Sequence, residues 1–271
     1  MARSLFGLEA ELAVSAPAPM GSDQDCDIVG AIARAADRTL VHLPGGGSNR
    51  WFLANGGLLY VDYGSKLEWA TAECTTPWEA VAHFLAGQRL VLALGQLVRT
   101  ELGLPQVLVC RNNVCYASGA TFGTHESYLG HRPIGDYASW LIPHLASRLI
   151  YCGSGGLDPL SPGIRPTLLP RAAYIVRPAS DGSLDNRGIF HTRDEALCDG
   201  YVRLHVAAPG DNPCSQRSTW LKVGATALVV ALADLDPGAA CPIELIDPVG
   251  AMKGFARDLC HEARCGMSQE A

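Results

Sequence analysis

Residues Trp51–Cys74 read WFLANGGLLYVDYGSKLEWATAEC, and this stretch decides the fold. Leu58-Leu59-Tyr60-Val61-Asp62 is a strand pattern. With a side-chain period of two, Tyr60 and Asp62 share one face while Leu59 and Val61 point the other way. A second extended run, Leu67–Cys74, carries Glu68, Thr71 and Glu73. Acids gathered in an apolar segment are costly unless cations or hydrogen bonds compensate them. Taken alone, the stretch favours the plainer reading: an exposed turn acid plus two rim glutamates.

Upstream, Leu5–Val14 alternates, with Leu8, Ala10 and Leu12 on one face and Glu9 and Glu11 on the other. Carboxylates at i and i+2 of a strand aim at the same place, the way oxygen ligands are presented to Mg²⁺. A bare E-x-E is more simply the polar face of a half-exposed edge strand. SAPAPMGSDQD reads as a loop, Asp25–Arg38 as an amphipathic helix, and His42–Asn49 as a glycine-rich connection. Gly45-Gly46-Gly47 lacks a following GK[ST] and is not a phosphate loop.

Downstream, Thr76-Pro77-Trp78-Glu79 combines an N-cap threonine, proline at the first helical position and glutamate at the third. It opens a long apolar helix to about Thr100 that covers a sheet. Gln106–Arg111 is a strand, followed by a loop leading to His125-Glu126. That dipeptide reads as a surface pair, although imidazole beside carboxylates also suits a metal rim. Tyr137–Tyr151 is predicted helical with a kink at Pro143, and Gly153–Gly163 a loop. Arg171–Arg177, Arg187–Arg193 and Tyr201–Ala207 are predicted strands. Ser218–Leu235 and Val249–Arg264 are predicted helices. One α/β-type domain over 1–271 follows: mostly antiparallel strands backed by helices.

The chain has 271 residues, 48% of them hydrophobic, enough to bury a large core. Its apolar runs are broken by charges or glycine, so no membrane span is expected. MARSLFGLEAEL has no apolar segment before its acids, so no signal peptide is expected. A net charge of −6 argues against nonspecific nucleic-acid binding. The ten cysteines form no CxxC and read as reduced thiols of a cytoplasmic protein. Cys260, His261 and Cys265 lack a second ligand pair and read as part of a helix surface rather than a zinc site.

Five ordered blocks carry a resemblance: GLEAEL, SNRWFLANGGLLYVDYGSKLEWATAEC, RNNVCYASGATFGTHESYL, GIFHTRDEALCDGYVRLHV and TWLKVGATALVV. Together they resemble the Pup ligase family, the proteasome accessory factor A proteins. Their close relatives are the depupylases, and both belong to the glutamine-synthetase-like carboxylate–amine ligases. The YGSKLEWATAEC block looks more like the ligase branch. The resemblance implies an α+β fold with a glutamine-synthetase-like antiparallel sheet. It also implies ATP and Mg²⁺ as cofactors, with a Pup-like small protein or peptide giving the carboxylate and lysine as amine acceptor. By position it makes Glu9, Tyr60 and Glu68 magnesium ligands, Asp62 the catalytic aspartate and Thr71 an ATP contact. Glu11, Glu73 and His125 fall at further metal positions, and Arg193 at a phosphate position.

This sequence departs from the family pattern in places. The family's ATP-contacting arginine is Leu58 here, HPE becomes Lys66-Leu67-Glu68, and RDEPHAD becomes RDEALCD over Arg193–Asp199. The likeness closes near Asp247–Lys253, short of the family's remaining nucleotide-site segment. This leaves three readings: a homo-oligomer or partner chain completes the site, the chain is a minimal relative with another substrate, or nucleotide binding has been lost. Two alternatives stand beside the ligase: a depupylase-like amide hydrolase on the same aspartate, and a non-catalytic binding module.

Overall fold

The computed structural model describes residues 4–17, 27–44, 47, 49–182, 185–193, 200–207, 210, 215–235, 238–239 and 241–259. The expectations for Gly45-Gly46, for Asp194–Asp199 and for Cys260–Cys265 fall outside those residues, as does most of the first loop.

An antiparallel sheet organises the fold. Strands β1 (Phe6–Ser15), β2 (Arg50–Phe52), β3 (Leu58–Asp62), β4 (Lys66–Ala70), β6 (Thr124–Gly130) and β11 (Val202–Val206) run in the order β11-β6-β1-β4-β3-β2. All neighbours along this path are antiparallel, and the short β5 (Leu108–Cys110) pairs with the far end of β1. Thus β1 is the centre of the sheet, not an edge, and the acids it carries cannot be dismissed as an edge strand's polar face.

Strand alternation divides the sheet into two chemically distinct faces. Leu8, Ala10, Leu12, Trp51, Leu59, Leu67, Trp69 and Leu204 are buried on the helix side. Helices α1 (Ile28–Thr39) and α2 (Pro77–Glu101) lie against β1 with β3 and β4, while α5 (Gln216–Leu235) lies against β6. Two-stranded pairs complete the rest: β7 (Gly156–Leu157) with β8 (Pro166–Thr167), and β9 (Arg177–Ser180) with β10 (Gly188–His191). The latter pair is parallel, the exception to the antiparallel expectation. Helices α3 (Ala138–Ser147), α4 (Leu149–Cys152) and α6 (Pro248–Arg257) pack together beside α5.

The capping box is present as the sequence predicts. Glu79 N donates to Thr76 Oγ1 at 3.2 Å, and Thr76 N donates back to Glu79 Oε2 at 3.0 Å. Further along α2, Gly87 lets the Trp69 indole lie against the helix backbone. A Cβ at Gly87 would fall 2.0 Å from the indole ring, which is itself held by a hydrogen bond from Trp69 Nε1 to His83 O at 3.2 Å. Gly87→Ala is therefore expected to lower the melting temperature. Overpacking costs roughly 1–3 kcal/mol and more, against about 1 kcal/mol of helix propensity gained.

Four sequence expectations are corrected. Arg171–Arg177 is not a strand. Pro170–Tyr174 is a 3₁₀ turn opened by its proline, and only Arg177 begins β9. The single helix predicted over Tyr137–Tyr151 is divided at Arg148 into α3, which contains Pro143, and α4. His125-Glu126 is not a surface pair but part of β6, with Glu126 fully buried. Finally, Pro77–Glu101 and Gln216–Leu235 are each long and apolar enough to cross a membrane by length and composition. Both lie across the sheet, where Phe84, Val91, Leu94 and Val98 of α2, and Val223 and Val230 of α5, enter the core.

Candidate functional site

The face of the sheet opposite α2 carries the chemistry. Register sets Glu9 opposite His125 on one side, Glu11 opposite Glu68 on the other, and Tyr60 opposite Glu68 one strand further out. His205 of β11 lies opposite Ser127 of β6, extending the same face. Five residues singled out in the sequence, Glu9, Glu11, Tyr60, Glu68 and His125, therefore meet on one surface with no loop needed to bring them there. Asp62 lies at the exposed end of β3, near enough for its charge to act on Glu68. Thr71 and Glu73 follow β4 and line a cleft of about 500 Å³ with Gly7, Glu9, Ser127 and Arg203. The Thr71 hydroxyl accepts from Leu8 N at 3.0 Å and donates to Ala72 O at 2.9 Å. Arg193 is exposed two residues past the end of β10.

The acids do not behave alike. Tyr60 Oη donates to Glu68 Oε2 at 2.6 Å. Burial, reinforced by the charges of Glu9, Glu11 and Asp62, pushes the Glu68 carboxyl up to about 9, so it holds its proton at neutral pH. Burial also acts to raise Glu11, but His125, Arg171 and Lys66 outweigh it and hold Glu11 below the ordinary carboxylate range. Lys66 Nζ donates to Glu11 Oε1 at 2.6 Å and to Thr121 O at 2.9 Å. Arg171 Nη1 is 3.9 Å from Glu11 Oε2. The same guanidinium donates to Gly210 O and Ala207 O.

The third group is imidazole-rich. His125 Nδ1 is 3.5 Å from Glu9 Oε2. The His125 and His205 rings meet edge to face at 5.2 Å, and His191 approaches His205 at 5.8 Å. One ligand atom each from Glu9, His125 and His205 fall within 4.8 Å of one another. Burial, then the neighbouring charges of His125, Arg203 and His191, holds His205 well below the usual histidine value, so it is neutral and suited to ligation. Glu9, His125 and His205 form a donor set that fits a divalent ion at this corner, while Lys66 and Arg171 face Glu11 and Tyr60 donates to Glu68.

Behind the site, Glu126 faces the core. Arg148 grips it with two bonds of 2.7 and 2.6 Å, Tyr128 donates to it at 2.6 Å, and Lys222 Nζ is 3.3 Å away. Sequence reasoning missed this cluster, and it missed Arg171, Arg203 and His205 as site residues. The alternation of Tyr201–Ala207 already placed Arg203 and His205 on a common face, and that signal was available. Nothing local signalled Arg171, which arrives from a 3₁₀ turn.

Against known proteins, the family described as Pup-ligase protein matches residues 6–271. This chain belongs to the Pup-ligase family. A Pup–protein ligase of Xylanimonas cellulosilytica is 34% identical over 267 residues, covering 95% of this chain and 56% of its own length. A Pup deamidase/depupylase of Mycobacterium tuberculosis is 38% identical over 225 residues, covering 78% of this chain and 43% of its own. Among solved structures, the complex of the prokaryotic ubiquitin-like protein Pup with its ligase PafA superposes with a TM-score of 0.78 at 27% identity. That match covers 98% of this chain and 53% of the other. A Pup ligase PafA in complex with ADP gives 0.70 at 29% identity, covering 82% and 50%. The chain thus spans about half the length of the relatives it matches. The antiparallel sheet backed by helices that the resemblance implied is present.

Proposed function

We propose that this chain is the catalytic sheet of an ATP- and Mg²⁺-dependent carboxylate–amine ligase. It would join a glutamate-type carboxylate of a Pup-like protein or peptide to an amine such as lysine. The observation that carries this reading is the convergence of Glu9, Glu11, Tyr60, Glu68 and His125 on one sheet face, beside a cleft of nucleotide size. Leu5, Phe6, Leu129 and Val202 give that cleft apolar walls, and Thr71 and Arg203 give it polar contacts.

In the reaction, the carboxylate takes a phosphoryl group from ATP, and the amine then displaces phosphate to form the amide. Asp62, exposed at the end of β3, accepts the proton of the attacking amine. Glu9 and His125 hold the metal side of the site, and Thr71 and Arg193 serve the nucleotide. Glu73, at the cleft, stands at its outer rim. The metal that Glu9 and His125 would hold would supply charge neutralisation at the transferring phosphoryl group. Lys66 and Arg171 contribute fixed positive charge on the same face, which Leu58 does not. We place the protein in the cytoplasm, where ATP is held. In this reading residues 1–271 act as one unit.

The likeness to a deamidase/depupylase favours a second reading, amide hydrolysis at the same Asp62. Incubation with Mg-ATP, Pup and a lysine-bearing acceptor, followed by mass spectrometry, separates the two. The ligase reading expects ADP and an isopeptide conjugate in equal amounts. Release of a preformed conjugate without net ATP consumption would support hydrolysis, and neither product would overturn both.

A further inference from the structure

Lys66 is out of character for an acid-lined face, and its geometry gives it a task. Its ammonium is clamped between Glu11 Oε1 at 2.6 Å and Thr121 O at 2.9 Å, and it lies 5.2 Å from the centroid of the Phe122 ring. The other oxygen of Glu11 faces Arg171, whose guanidinium is fixed by two backbone carbonyls. Both lone-pair sides of this carboxylate are thereby directed at permanent cations. A divalent ion reaching Glu11 would have to expel the ammonium and then sit beside the guanidinium.

The other end of the face has the opposite character. Glu9, His125 and His205 present one carboxylate and two imidazoles, with ligand atoms within 4.8 Å of one another. Ligands about 2.0–2.1 Å from a tetrahedral ion stand about 3.3 Å apart. The 3.5 Å between His125 Nδ1 and Glu9 Oε2 is close to such an edge. His205 Nδ1 presently faces Arg203 Nη2 at 3.1 Å and Ser127 Oγ at 3.4 Å. An ion on Nδ1 displaces the guanidinium directly. An ion on Nε2 moves the ring proton to Nδ1, which can then donate to Ser127 but not face Arg203.

We propose that Lys66 is a built-in cation filling the Glu11 half of this face. The chain then binds one divalent ion instead of two, at Glu9, His125 and His205, and prefers Mn²⁺ or Zn²⁺ over Mg²⁺. Two nitrogen donors set that preference, since imidazole suits borderline ions and Mg²⁺ seeks oxygen. The proposal deepens the site reading above, but it concerns metal binding alone.

Equilibrium dialysis of the full chain against Mn²⁺, Zn²⁺ or Mg²⁺, with bound metal counted by mass spectrometry, tests it. The wild type is expected to hold one Mn²⁺ or Zn²⁺ per chain and to bind Mg²⁺ more weakly. Glu9→Gln and His205→Ala should each weaken binding at least about tenfold, since losing even an outer partner of a metal ligand costs ten- to a hundredfold. Lys66→Met should raise the count to two, with circular dichroism reporting its folding, and Lys66→His carries the same expectation should the methionine variant not fold. Lys66→Arg should stay at one. Two ions or none in the wild type, or one in folded Lys66→Met and Lys66→His, would overturn the proposal. Neither nucleotide nor Pup enters the measurement. One ion without ligation would therefore discard the functional reading alone, and ligation with two ions would discard this one alone.

Discussion

Glu126→Gln is expected to destabilise the protein by about 3–5 kcal/mol, the size seen when one partner is removed from a buried ion pair. The glutamine keeps the shape but removes the carboxylate charge that faces Arg148 and Lys222, each 1% exposed. An exposed pair such as Arg38–Glu101, 2.9 Å apart, is worth less than about 1 kcal/mol. Its removal should scarcely register in the same assay. The pH dependence gives a second check. Burial raises the Glu126 carboxyl, but Arg148 and Lys222, with hydrogen bonds from Arg148 and Tyr128, bring it down to about 2 from its ordinary 4.5. A depressed acid stabilises the fold above its unfolded value and loses that contribution as pH falls from 4.5 to about 2. Urea melts of wild type and Glu126→Gln should therefore differ most near pH 7 and converge below pH 4.5. A constant gap across that window would show that the difference does not arise from ionisation of Glu126.

Asp62→Asn is expected to reduce conjugate formation by roughly 10²–10⁴-fold, the usual contribution of a positioned proton acceptor. Asp62 is exposed on the last residue of β3. Its amide should therefore leave the melting temperature within a degree or two and leave nucleotide binding intact. Glu9→Ala should behave differently, weakening metal binding as well as turnover. Equal conjugation by Asp62→Asn and wild type would remove Asp62 from the chemistry. If Asp62→Asn lost nucleotide binding, the residue would belong to the cleft and not to proton transfer.

The sequence carried the two-face logic of the sheet in full. Alternation in Leu5–Val14 and Leu58–Asp62 assigned Glu9, Glu11, Tyr60 and Asp62 to faces that the strands then display. The pairing partners were not legible, because no local signal says which strand lies beside β1. An E-x-E in the middle of a sheet and one at its edge read the same. His125-Glu126 shows the limit well. Composition makes the dipeptide look solvated, yet strand geometry sends the imidazole to Glu9 and the carboxylate to Arg148. Arg171 was misread because a proline-led 3₁₀ turn and a strand leave similar short apolar traces. The departure at Lys66 was visible in the sequence, but the salt link to Glu11 depends on register 55 positions away.

Because β1, β4 and β6 alone bring Glu9, Glu11, Glu68 and His125 together, the chain tolerates substitution and insertion very differently. Point changes can retune this surface one residue at a time, as a lysine among carboxylates already demonstrates. A single-residue deletion within Leu8–Leu12 would turn every later side chain of that strand through the sheet, sending leucines to water and glutamates into the α2 packing. Descendants of this chain are free to drift in charge, but the lengths of its central strands are frozen.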